Sequence, residues 1–434
     1  MNRKYIILIV AVTLLIIVVV AFWLTRPKKP SGPTELNWVT YNEEEKNFKD
    51  IIEAYEKENN VKINFIKKDP KNYEIESLNS ISTGKIDIWG IPDNWLPKHL
   101  NKLSTFPSQN STEEKQNVAD YKNLYPVIIV SENIIKDKIY GFPLSIDPLV
   151  LYLGTEAKSE ATRGREFTPG QEDLLNKTQI NWDDLWNQVQ LLTKKEGGSI
   201  TLSGAALGTS QIPAASDILT LMMLQNGAQM TSEDHSEATF HTAINKFGGE
   251  NFPGARALEF YTSFAQPGSN QVFSDALGDP LRAFAQGKIV YYLDFQSRES
   301  EIKLINPDAS YNIRELPQVK ETKKPVYLIR YETFAVPNSS KNQAAAWDFL
   351  NYLVSGDNIG TYYSASKNSP ALSSKLEINK TIIENAATWY NPDAVETDKI
   401  FCSAIDQVLA GKSAQTVLDG TAQQVTDLLK KLKE

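Results

Sequence analysis

The chain has 434 residues, of which 41% are hydrophobic and 23% are charged. That length exceeds one ordinary hydrophobic core and predicts two lobes or domains with additional segments. The formal net charge of −8 argues against a nucleic-acid partner, because such a partner demands clustered Lys and Arg.

An apolar run, "IILIVAVTLLIIVVVAFWL", extends without a charge from residue 6 to residue 24. It is long enough to cross a bilayer as a helix, and Trp23 lies at its end, where interfacial aromatic residues are common. A cleaved signal peptide is the alternative, but the run is long for one and no A-x-A site follows. We predict an uncleaved membrane anchor at residues 1–25 and a Pro- and Gly-containing linker at 26–34.

The elements that follow the linker predict a parallel β-α-β unit. A strand-like run at 36–41 precedes an apolar helical stripe from Phe48 to Tyr55, and alternation at 61–65 predicts the next strand. A helix over about 73–83 and a buried strand at 86–89 come next. The turn "GIPDNWLP" then opens at the carboxyl end of that strand, where open α/β sheets bind ligands.

The segment "GFPLSIDPLVLYLGTEA" at 141–157 is apolar but contains Pro143 and Pro148. Because proline suits a central strand poorly, we predict an interrupted strand that passes between two lobes. Amphipathic helices follow in "NWDDLWNQVQLLTKK", with Asn181 as N-cap, in "DILTLMMLQNGAQM" and in "ARALEFYTSFAQP". "DPLRAFAQGKIVYYLDF" predicts a helix and a buried strand, and the chain ends in a helix at 413–433.

A second candidate passage between lobes is "YETFAVPNSSKNQAAAWDFLNYLVSG". A short strand at 333–336 precedes Pro337. Ser340 and Gln343 have the spacing of a capping box, and the apolar residues that follow recur at helical spacing until Gly356.

The scarcity of Cys and His argues against a metal centre and a Cys- or His-dependent nucleophile. Cys402 is the single cysteine, so an intrachain disulfide is impossible. His99, His235 and His241 lack the i, i+4 spacing of helical zinc ligands, and none lies near a G-x-S-x-G motif. We predict no cofactor, no metal and no catalytic residue.

Taken in order, these segments resemble the extracellular solute-binding proteins of ABC importers, in the family that binds sugars and oligosaccharides. The resemblance covers nearly all of 36–433. It is carried by "NNVKINF", "DIWGIPDNWLPKHLNKL", "YGFPLSIDPLVLYLGTEA", "INWDDLW", "QNGA", "AFAQGKIVYYLDF" and "YETFAVPNSSKNQAAAWDFLNYLVS". The chain departs from the family pattern at "LYLGTEA", which lacks the usual Tyr-Asn pair, and in having an apolar helix where many members have a lipidated cysteine.

The resemblance implies a two-lobed, periplasmic-binding-protein-like α/β fold of type II, each lobe a mostly parallel sheet flanked by helices. We expect lobe 1 to comprise residues 35–145 and about 333–378. Lobe 2 is expected to comprise residues 148–331 and about 380–434, with a ligand cleft between the lobes. Closure about the hinge would bury the ligand.

The resemblance also implies which positions face the cleft. These residues follow predicted strands or lie on the two passages, and Tyr331 and Glu332 stand where the family more often has glycine. The predicted ligand contacts are Tyr41, Asn42, Glu43, Asp93, Asn94, Trp95, Asp147, Asp294, Phe295, Tyr331 and Glu332. For Trp38 and Trp89 we expect packing in the core.

These implications predict a monomeric, membrane-anchored, extracytoplasmic protein that is not an enzyme. It would capture a carbohydrate and deliver it to an ABC transporter permease. Three alternatives stay open: a sensor or adhesion protein of the same fold, a binder of a non-sugar solute such as a polyamine, and a tethered glycoside hydrolase with paired carboxylates.

Overall fold

The protein is described here from a computed structural model, which defines residues 32–246, 249–268, 271–320, 322, 324–366, 368–373 and 380–433. The predicted anchor at 1–25 and most of the linker lie outside these residues. Within the described ranges, no helix has both the length and the apolar character needed to cross a bilayer.

The β-strands occur along the whole described chain, between and after the helices. They are β1 (Thr34–Thr40), β2 (Val61–Lys67), β3 (Ile88–Pro92), β4 (Ile134–Ile135), β5 (Lys138–Ile139), β6 (Phe142–Gly154), β7 (Lys194–Glu196), β8 (Ser199–Ala206), β9 (Ile244–Lys246), β10 (Gly249–Asn251), β11 (Ile289–Phe295), β12 (Tyr311–Arg314), β13 (Tyr327–Ala335), β14 (Ser369–Pro370) and β15 (Ala386–Ala387).

The α-helices fall between these strands and at the C-terminal end. They are Lys49–Asn59, Tyr73–Ser82, Leu96–His99, Ser111–Leu124, Val127–Asn133, Thr155–Thr162, Pro169–Asn176, Trp182–Leu192, Ala215–Gln225, Pro253–Ser263, Pro280–Ala285, Glu299–Ile305, Gln343–Val354, Asn358–Ser366, Lys380–Glu384, Ala394–Leu409 and Ala414–Lys433.

One continuous sheet connects both halves of the molecule, in the strand order β2-β1-β3-β13-β6-β11-β8-β7. The predicted parallel β-α-β unit is confirmed, because β1 pairs in parallel with β2 and with β3. The sheet is nevertheless mixed and not mostly parallel. The two long strands β6 and β13 run antiparallel to each other, and they are also antiparallel to β11 and β3, respectively.

Strand β6 corrects the prediction of an interrupted strand. It is continuous from Phe142 to Gly154 and lies centrally in the sheet, between β13 and β11. Both prolines lie where the pairing changes. Pro143 is opposite Thr333, next to a register shift in β13, and Pro148 immediately precedes the pairing of Leu149 with Phe295 in β11. The missing amide donors are therefore tolerated at these points.

Helices pack on the sheet in two groups, which we call lobe 1 and lobe 2. In lobe 1, helix 343–354 packs on β6, and helix 358–366 packs against helix 49–59. In lobe 2, the C-terminal helices 394–409 and 414–433 pack against each other and against helix 253–263. Strands β6 and β13 pass between the lobes; the sequence boundaries given above stay a prediction.

The tryptophans of the first sheet half belong to the core, as predicted. Trp38 and Trp89 are both fully buried. Trp38 meets Phe48, Phe334 and Phe349 edge-on, with ring centroids 4.6, 5.2 and 5.6 Å away. Edge-to-face contacts of this kind add to the stabilisation from burying the rings.

The start of helix 343–354 differs from the predicted capping box. Asn342 occupies the N-cap position, and no side-chain hydrogen bond caps the helix there. Ser340 instead donates its hydroxyl to Asp87 Oδ1 at 2.6 Å and accepts the Asn342 amide at 3.0 Å. The residue predicted as the N-cap, Ser340, therefore binds the buried carboxylate of Asp87 and does not cap the helix. This bond connects the start of the helix to the residue just before β3.

Candidate ligand-binding site

A cavity of about 40 Å³ lies beside β13, where groups of both lobes meet. From lobe 1, Asp93 and Asn94 reach it from the short 3-10 helix that follows β3. From lobe 2, Asp217 and Thr220 reach it from helix 215–225. The other lining residues come from β13 and from the segment after β15, and they are Leu328, Ile329, Arg330, Thr388, Trp389 and Asn391.

Arg330 is the cation of this site. Its Nη2 pairs with Asp217 Oδ2 at 2.5 Å, and its side chain is 45% exposed. The guanidinium carbon lies 4.2 Å from the centroid of the Phe295 ring, a cation–π distance. Ion pairing on one side and a ring on the other hold the planar guanidinium in one orientation, with donors directed towards the cavity region.

Further acidic groups lie within electrostatic reach of Arg330. Burial raises the pKa of Asp93, Asp147 and Asp294 above the ordinary value, and the charge of Arg330 opposes that rise at each of them. Asp147 accepts the Ser297 amide at 2.8 Å, and Asp294 accepts the Phe295 amide at 2.8 Å. Several carboxyl acceptors therefore lie within electrostatic reach of Arg330, and one of them, Asp294, also lies 3.6 Å from Arg298 Nε.

Asp93 forms part of a coupled pair of acids. It accepts the Tyr331 amide at 3.3 Å, while the Tyr331 hydroxyl donates to Glu132. Burial raises the pKa of both carboxyl groups, and the negative charge of Glu132 raises that of Asp93 further. Since two close carboxylates resist double ionisation, this pair retains a proton more readily than isolated acids do.

Two remaining wall groups have capacity for a ligand. The Asn94 Oδ1 atom is buried and has no hydrogen-bond partner among the described residues. Trp389 is partly buried, and its ring lies nearly parallel to Phe401, with an interplanar angle of 18° at 6.2 Å. Asn94 thus supplies a hydrogen-bond acceptor without a partner, and Trp389 supplies an indole ring that stacks on Phe401.

A comparison with known families identifies the class of protein. Residues 50–388 match the family of bacterial extracellular solute-binding proteins. The chain belongs to this family. The galactooligosaccharide-binding protein of Bacillus subtilis (strain 168) is 23% identical over 421 residues, which cover 93% of this chain and 91% of that protein.

Solved structures show the same fold. The sugar-binding protein MalE from Xanthomonas citri superimposes with a TM-score of 0.71 at 14% identity, over 92% of this chain and 98% of that one. The cyclic alpha-maltosyl-1,6-maltose binding protein from Arthrobacter globiformis gives 0.70 at 19% identity, over 92% and 100%. At such identities the likeness extends to the two-domain α/β architecture with its mixed sheet.

In this solute-binding protein, six of the predicted contacts lie in or next to the cavity region. Asp93 and Asn94 line the cavity. Phe295 stacks on Arg330, and the other three lie within its electrostatic reach: Tyr41, Asp147 and Asp294. That these side chains touch a ligand stays a prediction.

Glu43 and Glu332, two other predicted contacts, lie together inside lobe 1 and not at the cavity. Their exposed fractions are 2% and 5%. Thr40 donates its hydroxyl to the Glu332 carboxyl at 2.8 Å, and Tyr362 donates to Glu43. Burial, followed by the charge of Glu43, raises the pKa of Glu332 to about 8.

Trp95, Tyr331 and Asn42, the last three predicted contacts, are also absent from the cavity lining. Trp95 packs in the apolar cluster of lobe 1, near Tyr73. Tyr331 directs its ring into lobe 1, where Asn133 Nδ2 donates to its hydroxyl at 3.0 Å. Asn42 is exposed, and its amide donates to the Thr40 hydroxyl at 3.3 Å.

The sequence reasoning missed Arg330, Asp217 and Trp389. One signal was available for Arg330, because a single cation in the apolar strand "YLIRYETFA" requires a partner or an opening. Asp217 and Trp389 gave weaker signals. The first begins an apolar helix, as acids often do, and the second follows a short strand whose pairing with β13 only the fold reveals.

A second cavity, of about 290 Å³, lies within lobe 2. It is larger than the interlobe cavity, but its walls come from one lobe and the connection before β13. Hinge closure would therefore not change it. Its lining residues are Trp182, Asp183, Met222, Asn226, Arg256, Phe260, Val319 and Lys320.

Proposed function

We propose that this solute-binding protein captures a carbohydrate between its lobes and delivers it to the permease of an ABC importer. The observation that carries the proposal is the interlobe cavity, with Asp93 and Asn94 on one side and Asp217 and Trp389 on the other. Arg330, on a strand that passes between the lobes, lies among them. A ligand held there would contact both lobes.

The wall chemistry suits a saccharide. Each hydroxyl buried on binding needs a partner, because an unmet polar group costs about 1–3 kcal/mol. Arg330 can donate to hydroxyl oxygens, and the carboxyl groups of Asp93 and Asp217 and the free Asn94 oxygen can accept from hydroxyls. Trp389 offers a flat apolar surface for the C–H face of a sugar ring.

The size of the cavity supports capture by hinge motion. Pockets that hold small organic ligands usually measure about 300–1,000 Å³. The cavity here has about 40 Å³, room for a few water molecules. A sugar could enter only if the lobes move apart, and β6 and β13 are the strands about which they would turn.

We further propose that residues 6–24 anchor the protein in the membrane, with the binding lobes outside the cytoplasm and the chain monomeric. The uncharged apolar run supports the anchor, and membership of an extracellular family supports the orientation. Tethering would keep the binder close to its permease. We propose binding without turnover of the solute, in keeping with the family.

The test is a ligand screen on the full-length chain in mild detergent. Thermal shift would be measured with galactooligosaccharides, maltose, maltotriose and tagatose, with spermidine and amino acids as contrasts. A ligand that binds the folded protein raises the melting temperature by mass action. We expect a saturable shift with a saccharide and intact saccharide on chromatography afterwards.

The control compares two partly buried tryptophans. Trp389→Leu should abolish the saccharide shift, whereas Trp186→Leu, which lies against Phe264 in lobe 2, should retain it. A shift with spermidine or an amino acid alone would overturn the carbohydrate proposal. Cleavage of the saccharide would overturn the proposal that the protein only binds.

A further inference from the structure

An ion triad joins the two lobes outside the cavity. Lys98 Nζ lies 2.8 Å from Glu74 Oε1 and 2.6 Å from Asp393 Oδ2. The exposed fractions of the three side chains are 25%, 21% and 20%, respectively, so the triad is largely shielded from water. His99 Nε2 lies 2.8 Å from the same Glu74 oxygen.

The partners of Lys98 belong to different lobes. Glu74 is on helix 73–82, which packs in the apolar cluster of lobe 1 together with Leu96, next to Lys98. Asp393 caps the N-terminus of helix 394–409 by accepting the Glu396 amide at 3.3 Å. That helix packs mainly against lobe 2 helices, although its first residue, Ala394, also touches the apolar cluster of lobe 1. We therefore assign Asp393 to lobe 2.

The triad is carried by the same two segments as the cavity. Asp93 and Asn94 lie at the start of the turn that leads to Lys98, and Trp389 and Asn391 lie shortly before Asp393. Asn391 also accepts the Asp393 amide at 3.2 Å. A movement that separates Lys98 from Asp393 would therefore separate the two walls of the cavity as well.

Charge complementarity at this point is strong. Hydrogen bonding to His99, opposed in part by burial, lowers the pKa of Glu74 to about 2. Partial burial opposes the charge on Lys98, but hydrogen bonds to Asp393 and Glu74 outweigh it and raise the pKa of Lys98. These contacts thus favour the charged forms of Glu74 and Lys98.

We propose that Lys98 is a positioning residue whose bridge to Asp393 holds the lobes closed without touching the ligand. The proposal rests on hinge closure in the proposed function. Because the cavity is too small for a sugar while the bridge is formed, ligand entry must break the Lys98–Asp393 contact. The bridge thereby sets the fraction of closed, unliganded protein and opposes ligand entry.

The other ion pairs that we compare among the described residues do not join the two lobes away from β13. Lys138 pairs with Glu114 inside lobe 1, and Lys177 pairs with Asp184 inside lobe 2. Arg330 pairs with Asp217 at the strand about which the lobes turn, where a small rotation separates the partners least. Lys98 and Asp393 are joined away from that strand, so their separation reports opening more directly.

The experiment measures the distance between the lobes in the full-length chain without any added ligand. Spin labels would be placed at Glu53→Cys in lobe 1 and Glu259→Cys in lobe 2, both exposed, on a Cys402→Ser background, and read by double electron–electron resonance. Lys98→Met removes the cation and keeps the aliphatic stem. Asp393→Asn removes the charge and keeps a good N-cap.

We expect each variant to increase the ratio of long to short distances about fivefold, as loss of a partly shielded ion pair would. Lys98→Arg should restore the wild-type distribution, and the control Lys138→Met should leave it unchanged. About 1 M NaCl should shift the wild type towards long distances and leave Lys98→Met unaffected.

Distance distributions of Lys98→Met and Asp393→Asn that superimpose on the wild type would overturn the proposal. The use of two variants separates this result from a folding defect in one of them. Because no saccharide is added, a negative result here would leave the carbohydrate proposal standing. If no saccharide changed the melting temperature in the ligand screen, the distance measurement would still test the role of Lys98.

Discussion

Two residues of β13, separated by Tyr331, show opposite ways of placing charge in this fold. Arg330 leaves the strand towards the cavity and is surrounded by acids of both lobes, with Asp217 at 2.5 Å. Glu332 enters lobe 1, where it is 5% exposed and accepts from the Thr40 hydroxyl. The environment of Arg330 is charged and partly open to solvent. The environment of Glu332 is enclosed, and a hydroxyl group donates to its carboxyl group.

An acid on a strand that passes between the lobes can therefore be enclosed within one lobe and lie away from the cavity. Around Arg330 the guanidinium compensates carboxylates, so charged groups remain available to a solute. Around Glu332 burial raises the pKa to about 8, so the group is largely neutral at neutral pH. The candidate ligand site and an enclosed carboxyl group thus lie close together on one strand.

The largest expected effect sharpens this contrast through pH. A carboxyl group whose pKa rises from 4.5 to about 8 on folding is stabilising below the unfolded value, and that contribution is lost as the pH rises through 8. We expect the contribution of Glu332 to the unfolding free energy to fall by several kcal/mol, on the order of 4, between pH 4.5 and pH 8. Denaturant melts at stepped pH would measure it.

In Glu332→Gln the unfolding free energy should decrease less between pH 4.5 and pH 8 than in the wild type, because the amide does not titrate. Exposed Glu53→Gln, on helix 49–59, is the matched control and should follow the wild-type profile. If the Glu332→Gln and wild-type profiles run parallel, the enclosed environment has been described wrongly.

The next effect concerns the open environment. Arg330→Met should weaken saccharide binding about 30- to 100-fold, because it leaves Asp217 and its neighbouring acids without their cation and removes the main donor. Calorimetric titration with the saccharide found in the screen would measure the loss. Arg163→Met, which removes an arginine that is 74% exposed, should bind like the wild type, and equal affinities of all three proteins would contradict the site.

A smaller effect tests the packing around Glu332. A Cβ atom on Gly90 would lie 2.0 Å from Glu332 Oε1 and 3.0 Å from the Phe334 ring. Gly90→Ala should therefore destabilise the protein by about 1–3 kcal/mol. Gly170→Ala, where a Cβ would meet nothing within 4 Å, should stay close to wild type in the same melts. A neutral Gly90→Ala would show that the carboxyl group moves freely.

The smallest effect concerns the side chain of Asn42, because the residue is exposed and its contact with Thr40 is made by the backbone amide, which alanine keeps. Asn42→Ala should change stability by less than about 0.5 kcal/mol and leave saccharide affinity unchanged. A clear loss of affinity in the titration would extend the site to the end of β1.

Local patterns were sufficient for much of the fold. The β1–β2 unit, Asn181 as an N-cap and the C-terminal helix were all predicted from periodicity and capping residues, and the structure adds that Asp184 completes a capping box with Asn181. Strand β6 was predicted less well. Its prolines signal an interruption locally, whereas the changes of pairing partner that accommodate them depend on the distant strands β11 and β13.

The candidate site was only partly accessible to such reasoning. Asp93 and Asn94 follow a strand, and that position can be read from the sequence. Arg330, Asp217 and Trp389 come from three distant segments that only the folded sheet brings together. Glu332 was assigned to the second passage, just before the predicted strand at 333–336, whereas it lies within β13. A register shift between Tyr331 and Thr333 makes alternation unreliable for deciding which face Glu332 takes.

The most direct measurement is a crystal structure of the protein with the saccharide found in the screen. The account predicts the sugar between the lobes, within hydrogen-bonding distance of Asp93 or Asn94 on one side and of Asp217 or Arg330 on the other, with one ring against Trp389. A saccharide bound instead in the lobe 2 cavity beside Trp182 and Phe260 would contradict it.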